Sequence, residues 1–505
     1  MLLRQFVRHA SLATKTVERG AYSILNDTHI QKFKQILSND DNRVLTDEDS
    51  VKPYNVDWLK TQEGKSKLVL KPKTTEEVSA ILRYCNEQKI AVCPQGGNTG
   101  VVAGGVPLYD EVIVSASLMN KILNFDELSG VLTCESGCVL ETAEKFLLER
   151  GVLTCESGCV LETAEKFLLE RGFIMPLDLG AKGSCQIGGN ISTNAGGLRL
   201  FRYGSLHATV LGLEVVLADG TVLDLMNTLK KDNTGYHLAH MFIGAEGTLG
   251  FVTKVVIQCP VKPNSTHITF LGVDSFDTVL KIVQLARTSL GEILSSCEMM
   301  DHAGVNSVST KFNIQIPVKQ CPFYMLLETS GSCVDHDAEK LNTFLQDGIE
   351  NNIILDAVMC SEESKIQKIW PLRERIVESC LKDGYIYNYD ISLSLKDFYS
   401  IIPIMKERLK DQPVVTVCGY GHLGDGNLHV NISVKEPNPE VYALVEPFIY
   451  EWTSQHRGSV SAEHGIGLAK KHVLHLSKTD TSLSLMRQIK GLLDPNHIIN
   501  PYKVF

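Results

Sequence analysis

The pattern of apolar and polar residues between positions 414 and 432 predicts two strands joined by a glycine-rich turn. The run Val414–Val417 is rich in β-branched residues, as strands are, and Leu428–Ile432 alternates apolar and polar residues. Because successive side chains of a strand point to opposite faces, His429 and Asn431 are expected on the same face. The glycines between the two runs predict a loop with freedom in φ, and His422 is expected to lie in it.

Elsewhere the apolar positions follow the helical period in some stretches and the strand period in others, so both helices and strands are expected. A helix is expected from Thr74 to about Gln88, because a threonine followed by glutamates suits a helix start. Short strands are expected at residues 268–271 and 323–327, and helices at 275–289 and 336–348. These elements predict an antiparallel sheet with helices on one face.

Two histidines beside a glycine-rich turn indicate a metal site. His422 and His429 supply two ligands, and Glu463, followed by His464 between glycines, supplies the third. Two histidines and one carboxylate, with a coordination position left open, suit a catalytic divalent ion such as zinc. The alternative is that the histidines only satisfy hydrogen bonds in a core.

Length and charge restrict the function classes. At 505 residues the chain is expected to form two or three domains, and its 44% hydrophobic and 21% charged residues are typical of a globular enzyme. The net charge of −10 disfavours nucleic acid or an anionic membrane as the main partner. No apolar run reaches the roughly 18 residues that a membrane span requires.

The first 20 residues differ in composition from the rest. Arg4, Arg8 and Lys15 occur among serines and threonines, and no acidic residue precedes Glu18. This composition predicts a mitochondrial transit peptide over about residues 1–20, and a disordered basic tail is the alternative.

Residues 130–150 and 151–171 are identical in sequence. Identity over two copies does not suit a stacked repeat array, and it indicates a recent duplication or a sequencing error. Each copy predicts a short strand and an amphipathic helix, and only one copy is expected to fit the core. The repeat also accounts for four of the 14 cysteines, Cys134, Cys138, Cys155 and Cys159, without a zinc site, and reduced thiols are expected.

Glycine-rich stretches recur through the first half of the chain. Residues 94–100 follow a predicted strand, and further glycines cluster at 183–190, 194–197 and 244–250. Glycines let backbone N–H groups approach an anion such as a pyrophosphate. The spacing of the first cluster matches neither Walker A nor the dinucleotide fingerprint, and an ordinary turn is the alternative for that cluster taken alone.

Taken as a set, the motifs resemble those of vanillyl-alcohol-oxidase-type flavoproteins, whose FAD domain is shared with cytochrome-linked D-lactate dehydrogenases. The set consists of P-x-G-G-N-T-G, Q-I-G-G-N-x-x-T-N-A-G-G, R-Y-G, G-A-E-G-T-L-G, G-H-x-G-D-G-N-L-H, S-x-E-H-G-I-G and the closing stretch Asp494–Pro501. The resemblance covers nearly everything after about residue 45.

This resemblance implies an α+β fold with three regions. A two-lobed FAD-binding domain is expected at 50–260, an antiparallel-sheet substrate domain at 261–418, and a C-terminal region at 419–505 that carries the metal site and caps the flavin. Because residues 94–100 contain no histidine, FAD is expected to bind non-covalently. The implied cofactor-binding residues are Pro94, Gln95, Gly96, Gly97, Asn98, Thr99, Gly100, Gly183, Ser184, Gly188, Gly189, Asn190, Asn194, Gly196, Gly197, Glu246, Gly247 and Asn500.

The resemblance also implies an activity, which is the oxidation of D-2-hydroxyglutarate to 2-oxoglutarate. Flavin N5 would accept the hydride, His464 would accept the hydroxyl proton, and Arg373 would bind the substrate carboxylate. Asn431 would hydrogen-bond the bound acid. Electrons would pass to an acceptor such as an electron-transfer flavoprotein in the mitochondrial matrix, and a homodimer is left open. The alternative for Arg373 is a surface helix with Arg–Glu pairs.

Two positions depart from the pattern of relatives that act on this dicarboxylate. Those relatives carry a threonine and a lysine where this chain has Val377 and Asn388. Losing a hydroxyl and a cation weakens binding of a second carboxylate, so D-lactate or another D-2-hydroxy acid is the alternative substrate. Two further alternatives are an ether-lipid synthase of this fold and an inactive flavoprotein that serves as a binding subunit.

Overall fold

The computed structural model describes residues 17–137 and 172–505 and divides into two compact units. The first unit contains the described residues up to Gly196, together with Gly204–Lys262 and Glu463–Phe505. The second contains Gly197–Tyr203 and Pro263–Ala462. The predicted transit peptide lies outside the described residues, except for its last four positions. Most of the duplicated segment also lies outside them, and of its first copy only Gly130–Gly137 is described.

The first unit contains two sheets, in agreement with the predicted two lobes. A four-stranded sheet has the order β1-β2-β4-β3, and a five-stranded antiparallel sheet has the order β5-β6-β9-β7-β8. The strands of the first sheet are β1 (Val44–Leu45), β2 (Val69–Leu70), β3 (Val92–Gln95) and β4 (Val112–Ser115). Those of the second are β5 (Ile122–Asp126), β6 (Val131–Glu135), β7 (Val210–Val216), β8 (Val222–Leu225) and β9 (Phe251–Gln258).

Helices pack around these two sheets. The predicted helix forms at Thr75–Gln88, and the Thr74 hydroxyl accepts a hydrogen bond from the backbone N–H of Glu77. Its apolar face, with Val78, Ile81 and Leu82, is fully buried in the core of the first sheet. The other α-helices of this unit are Asp27–Ile36, Glu48–Val51, Ile187–Thr193, Leu206–Thr209 and Asp480–Leu493.

The second unit is built on one seven-stranded antiparallel sheet of order β13-β10-β12-β11-β15-β16-β14. Its strands are β10 (Ser265–Val273), β11 (Leu294–Asp301), β12 (Phe323–Gly331), β13 (Asp356–Cys360), β14 (Tyr385–Ser392), β15 (Val414–His422) and β16 (Asn427–Val434). The α-helices are Leu200–Tyr203, Phe276–Ser289, His302–Phe312, Val334–Glu350, Glu363–Ile369, Pro371–Glu374, Ile376–Leu381, Ile401–Arg408 and Pro439–Gln455. The strands and helices predicted for residues 268–348 are confirmed.

The glycine-rich stretch differs from the prediction. Strand β15 continues through Gly419 and Gly421 to His422, so His422 ends a strand and does not lie in a loop. Gly421 is required by close packing, because a Cβ there would lie 2.0 Å from the carbonyl oxygen of Asn427 on β16. The turn itself uses a positive φ at Gly426 (75°). The hairpin is therefore tighter than a four-glycine loop would make it.

The stretch expected to form one C-terminal region, 419–505, is divided between the two units. Strands β15 and β16 belong to the large sheet of the second unit, where they pair with β11 and β14. The chain returns to the first unit at Glu463. The chain passes from the first unit to the second between Lys262 and Pro263.

Candidate active site

A cleft opens in the first unit. It is lined by every residue of Pro94–Gly100 and by Gly188, Gly189, Asn190, Glu246 and Gly247, all of which were predicted to bind the cofactor. His464, the predicted proton acceptor, also lines it.

The chemistry of the cleft fits a polar ligand. Three of its buried side-chain oxygens have no hydrogen-bond partner among the described residues, namely Ser136 Oγ, Gln186 Oε1 and Asn190 Oδ1. Buried polar atoms are rarely left without a partner in a folded protein, so these oxygens indicate a bound group that carries donors. A Cβ added at Gly189 would meet no atom within 4 Å, which leaves room along the cleft wall. These features fit FAD.

Glu246 lies at the centre of a partly buried hydrogen-bond network at this cleft. Its carboxylate accepts hydrogen bonds from the backbone N–H groups of Ile466 (2.8 Å) and Gly467 (2.7 Å). Asn500 donates its side-chain N–H to the backbone oxygens of Glu246 (2.9 Å) and Gly104 (3.1 Å). Burial raises the pKa of Glu246, against the two backbone hydrogen bonds, which lower it.

The remaining predicted cofactor residues do not line the cleft. Of the described residues, Gly183, Ser184, Asn194, Gly196, Gly197 and Asn500 lie outside its lining. Ser184 supports the lining nonetheless, because a Cβ at Gly97 would lie 2.2 Å from its carbonyl oxygen. Gly197 belongs to the second unit. Gln186 and Ser192 also line the cleft and lie within the stretch 183–197 that was expected to do so, whereas sequence reasoning missed Ser136.

The second unit presents a polar face on its large sheet. His422, Tyr420 and His429 lie on this face, because Tyr420 is paired with His429 across β15 and β16. The rings of His422 and His429 lie 5.8 Å apart, and the Tyr420 ring stacks on His429 at 5.0 Å. Asp390 on β14 is the partner of His429 on the other side, and the two offer ligand atoms within 4.8 Å of each other.

A buried chain of charges joins two of the predicted site residues. Glu298, on β11, accepts a hydrogen bond from Nε of Arg373 at 2.8 Å and contacts Nδ1 of His422, also at 2.8 Å. The Arg373 guanidinium lies 4.6 Å from the centre of the Tyr420 ring. Burial raises the pKa of Glu298, but the charges and hydrogen bonds of His422 and Arg373 outweigh burial and hold that pKa below its ordinary value.

The contacts among Arg373, Glu298 and His422 bear on how a metal could be held. A carboxylate on one ring nitrogen of a histidine fixes the ring and leaves the other nitrogen as the ligand. The contact between Glu298 and Nδ1 of His422 is of the kind that orients such a ring. Arg373 is buried and paired with Glu298, so it is not the exposed Arg–Glu pair of a surface helix.

Asn431 is fully buried on the polar face. Its side-chain oxygen accepts a hydrogen bond from Asn388 at 2.6 Å, and its amide nitrogen donates to the Tyr420 hydroxyl at 3.4 Å. The two positions that sequence analysis treated separately, 388 and 431, thus form one pair. Val377, the other departure, packs against the apolar core of this unit.

Glu463 and His464 begin the C-terminal part of the first unit, where their side chains lie 3.5 Å apart. The preceding residues are fixed in the second unit. Ser459 pairs with Ser392 at the end of β14, and the Ser461 hydroxyl donates a hydrogen bond to Asp390 at 3.1 Å. Ser461, which makes this hydrogen bond, precedes Glu463 by two positions in the chain.

Sequence reasoning missed Glu298 and Asp390. Both are acidic residues within strands, and both are at most 1% exposed. A buried carboxylate requires partners, so an acidic residue within a strand-forming stretch was the available signal. Among the described residues, no helix combines the length and the apolar character that crossing a bilayer requires.

Comparison with known proteins agrees with this geometry. Residues 66–226 match the family described as FAD binding domain, and residues 262–504 match FAD linked oxidases, C-terminal domain. The chain is 51% identical to "D-2-hydroxyglutarate dehydrogenase, mitochondrial" of Danio rerio, over 96% of this chain and 86% of the relative. It is 45% identical to a putative mitochondrial D-lactate dehydrogenase of Schizosaccharomyces pombe, over 95% and 91% of the two chains.

The fold also matches a solved structure. The structure of p-cresol methylhydroxylase with bound substrate has a TM-score of 0.73 at 16% identity and covers 94% of this chain and 96% of that one. The chain therefore belongs to the FAD-linked oxidases of the vanillyl-alcohol-oxidase type, as the motifs predicted. It is a flavin-dependent oxidoreductase.

Proposed function

We propose that the protein oxidises D-2-hydroxyglutarate to 2-oxoglutarate with FAD and a divalent metal. The observation that carries the proposal is the buried chain Arg373–Glu298–His422, which links a carboxylate-binding cation to a metal-ligating imidazole on one sheet face. Relatives of about 50% identity that are named for this substrate support it.

Each residue then has a defined task. When bound, FAD supplies the hydride acceptor, and a divalent ion on His422, His429 and Glu463 supplies Lewis acidity at the hydroxyl. The guanidinium of Arg373 has its Nε held by Glu298, so its Nη groups meet the C1 carboxylate. The imidazole of His464 takes the proton of the 2-hydroxyl. The side chain of Asn431, which is held by Asn388 and Tyr420, forms a hydrogen bond with the bound acid.

The donor set favours zinc. Two imidazoles and one carboxylate suit a borderline ion and resemble catalytic zinc sites that keep an open position. Asp390, within reach of His429, would orient or supplement the histidine ligand. A site of this kind is consistent with substrate binding through its hydroxyl.

We further propose a mitochondrial matrix enzyme that reduces an electron-transfer flavoprotein. Relatives named D-2-hydroxyglutarate dehydrogenase or D-lactate dehydrogenase are called mitochondrial, which supports the organelle. The chain contains no nicotinamide fingerprint, which supports an acceptor other than a nicotinamide, and a protein or quinone-linked carrier is proposed. The FAD-binding region at 50–260, the substrate region at 261–418 and the dimeric state stay predictions.

D-lactate is the second candidate substrate, and one observation favours it. Asn388 is neutral and donates to Asn431, so this position offers no cation to a second carboxylate. D-lactate has a single carboxylate and does not require such a cation. The relative from Schizosaccharomyces pombe carries a D-lactate dehydrogenase name.

Initial rates with an artificial dye as acceptor distinguish the two substrates. We expect kcat/KM for D-2-hydroxyglutarate to exceed that for D-lactate by about tenfold or more, equivalent to about 1.4 kcal/mol of transition-state binding. The L-enantiomers serve as controls and are expected to give no turnover. A higher value for D-lactate would transfer the assignment to the second candidate, and turnover of neither acid by flavin-loaded protein would contradict both.

A further inference from the structure

The carboxylate of Glu246 has partners that a simple cofactor ligand would not require. Both of its oxygens are occupied by backbone N–H groups of the protein, those of Ile466 and Gly467, at 2.8 and 2.7 Å. These amides follow Glu463 and His464 in the chain by two to four residues. Hydrogen bonds to a carboxylate hold a backbone segment more firmly than neutral bonds do.

The held segment is conformationally demanding. Gly465 and Gly467 both adopt positive φ, 83° and 49°. A Cβ at Gly465 would lie 2.9 Å from the carboxylate of Glu246, and one at Gly467 would lie 2.3 Å from the backbone oxygen of Val102. The segment 463–467 is thus pressed against Glu246 without room for side chains at these glycines, and its path depends on that carboxylate.

Glu246 is itself anchored from several sides. It adopts a positive φ of 51°, and its backbone N–H donates to Ser192 at the end of the helix Ile187–Thr193. Asn500 holds its carbonyl oxygen and ties it to Gly104. Because both its backbone and its carboxylate are fixed, Glu246 restricts the position of the backbone N–H groups that it binds.

We propose that Glu246 is a positioning residue that fixes the segment 463–467 and thereby presents Glu463 and His464 for metal binding and proton transfer. The inference rests on the proposed function, since it assumes that these two side chains act in the reaction. It changes the role expected for Glu246 from a contact with the cofactor to the alignment of the residues that act on the substrate.

The variant Glu246→Gln tests this role, because the amide cannot accept from both backbone N–H groups. We expect the variant to keep its flavin and its KM for the dye acceptor. Amide hydrogen exchange at Ile466 and Gly467 should accelerate by about tenfold or more as the segment loosens. Flavin reduction by the 2-hydroxy acid should slow by about 100-fold, the effect of misplacing reacting groups by about 1 Å.

Glu111→Gln is the matched control. Glu111 is also buried and also accepts from two consecutive backbone N–H groups, those of Leu108 (2.9 Å) and Tyr109 (2.6 Å), but it does not line the cleft. Its variant should loosen residues 108–109, accelerate exchange at Ile466 and Gly467 by less than about twofold, and show a rate of flavin reduction within about twofold of the wild-type rate.

Three results would overturn the proposal. These are unchanged exchange at Ile466 and Gly467 in Glu246→Gln, loss of flavin from that variant with a normal reduction rate per remaining flavin, and equal slowing in the Glu111→Gln control. If wild-type flavin is reduced by no 2-hydroxy acid, the proposed function fails. The hydrogen-exchange comparison would still decide whether Glu246 fixes the segment.

Discussion

Replacing Glu298 with glutamine is expected to lower the free energy of unfolding by about 3–5 kcal/mol, the usual effect of breaking a buried ion pair from one side. Glu298 is 1% exposed and contacts both Arg373 and His422. The neutral amide would leave the Arg373 charge without its buried counter-ion and would release the His422 ring. Activity should fall with stability, since both partners have predicted roles at the substrate.

Urea unfolding of wild type and variant measures this effect, and Glu292→Gln is the control in the same unit. Glu292 pairs with Lys340, but its side chain is 56% exposed, and surface pairs contribute less than about 1 kcal/mol. If both variants unfold at the same urea concentration, the buried chain does not stabilise the fold as described.

Removing the proposed divalent metal is expected to lower turnover by about 100-fold or more while leaving FAD bound, because Lewis acidity at the hydroxyl contributes several kcal/mol to such reactions. Dialysis against a chelator, followed by metal analysis and a dye-linked assay, tests this. Added zinc should restore the rate. Retention of full activity with less than one metal per ten flavins would contradict the metal assignment.

A histidine variant separates the metal from general effects of chelation. His429→Asn should bind less metal and should not recover activity with zinc. His267→Asn is the control, because His267 is equally buried in β10 of the same sheet and contacts Ser265 and not the polar face residues. Equal loss of metal from both variants would place the ion elsewhere.

Local patterns predicted the secondary structure well. The helix Thr75–Gln88 and its cap follow from a threonine and a glutamate three residues apart, and the strands β10 and β12 from apolar runs. The alternation in Leu428–Ile432 predicted strand β16, with His429 and Asn431 on one face. These features depend on near neighbours in the chain, which a single sequence contains.

Long-range pairing could not be predicted in the same way. Glycines at 419 and 421 indicated a loop. In the structure they lie within strand β15, where the neighbouring strand and helix leave no space for side chains. The ion pair between Glu298 and Arg373 joins residues 75 positions apart, and no local pattern in the sequence predicts it. The contact of Glu246 with Ile466 spans 220 positions. The motifs identified the family, whereas the supporting carboxylates became visible only in three dimensions.

Anaerobic flavin reduction tests the central claim most directly. The purified protein, with its flavin and metal content known, is mixed with D-2-hydroxyglutarate in one cuvette and D-lactate in another, and the visible absorbance of the flavin is followed without any acceptor. We predict rapid bleaching by D-2-hydroxyglutarate and slower bleaching by D-lactate. Absence of bleaching by either acid, with FAD and metal both present, would contradict the assignment of this protein as a D-2-hydroxy acid dehydrogenase.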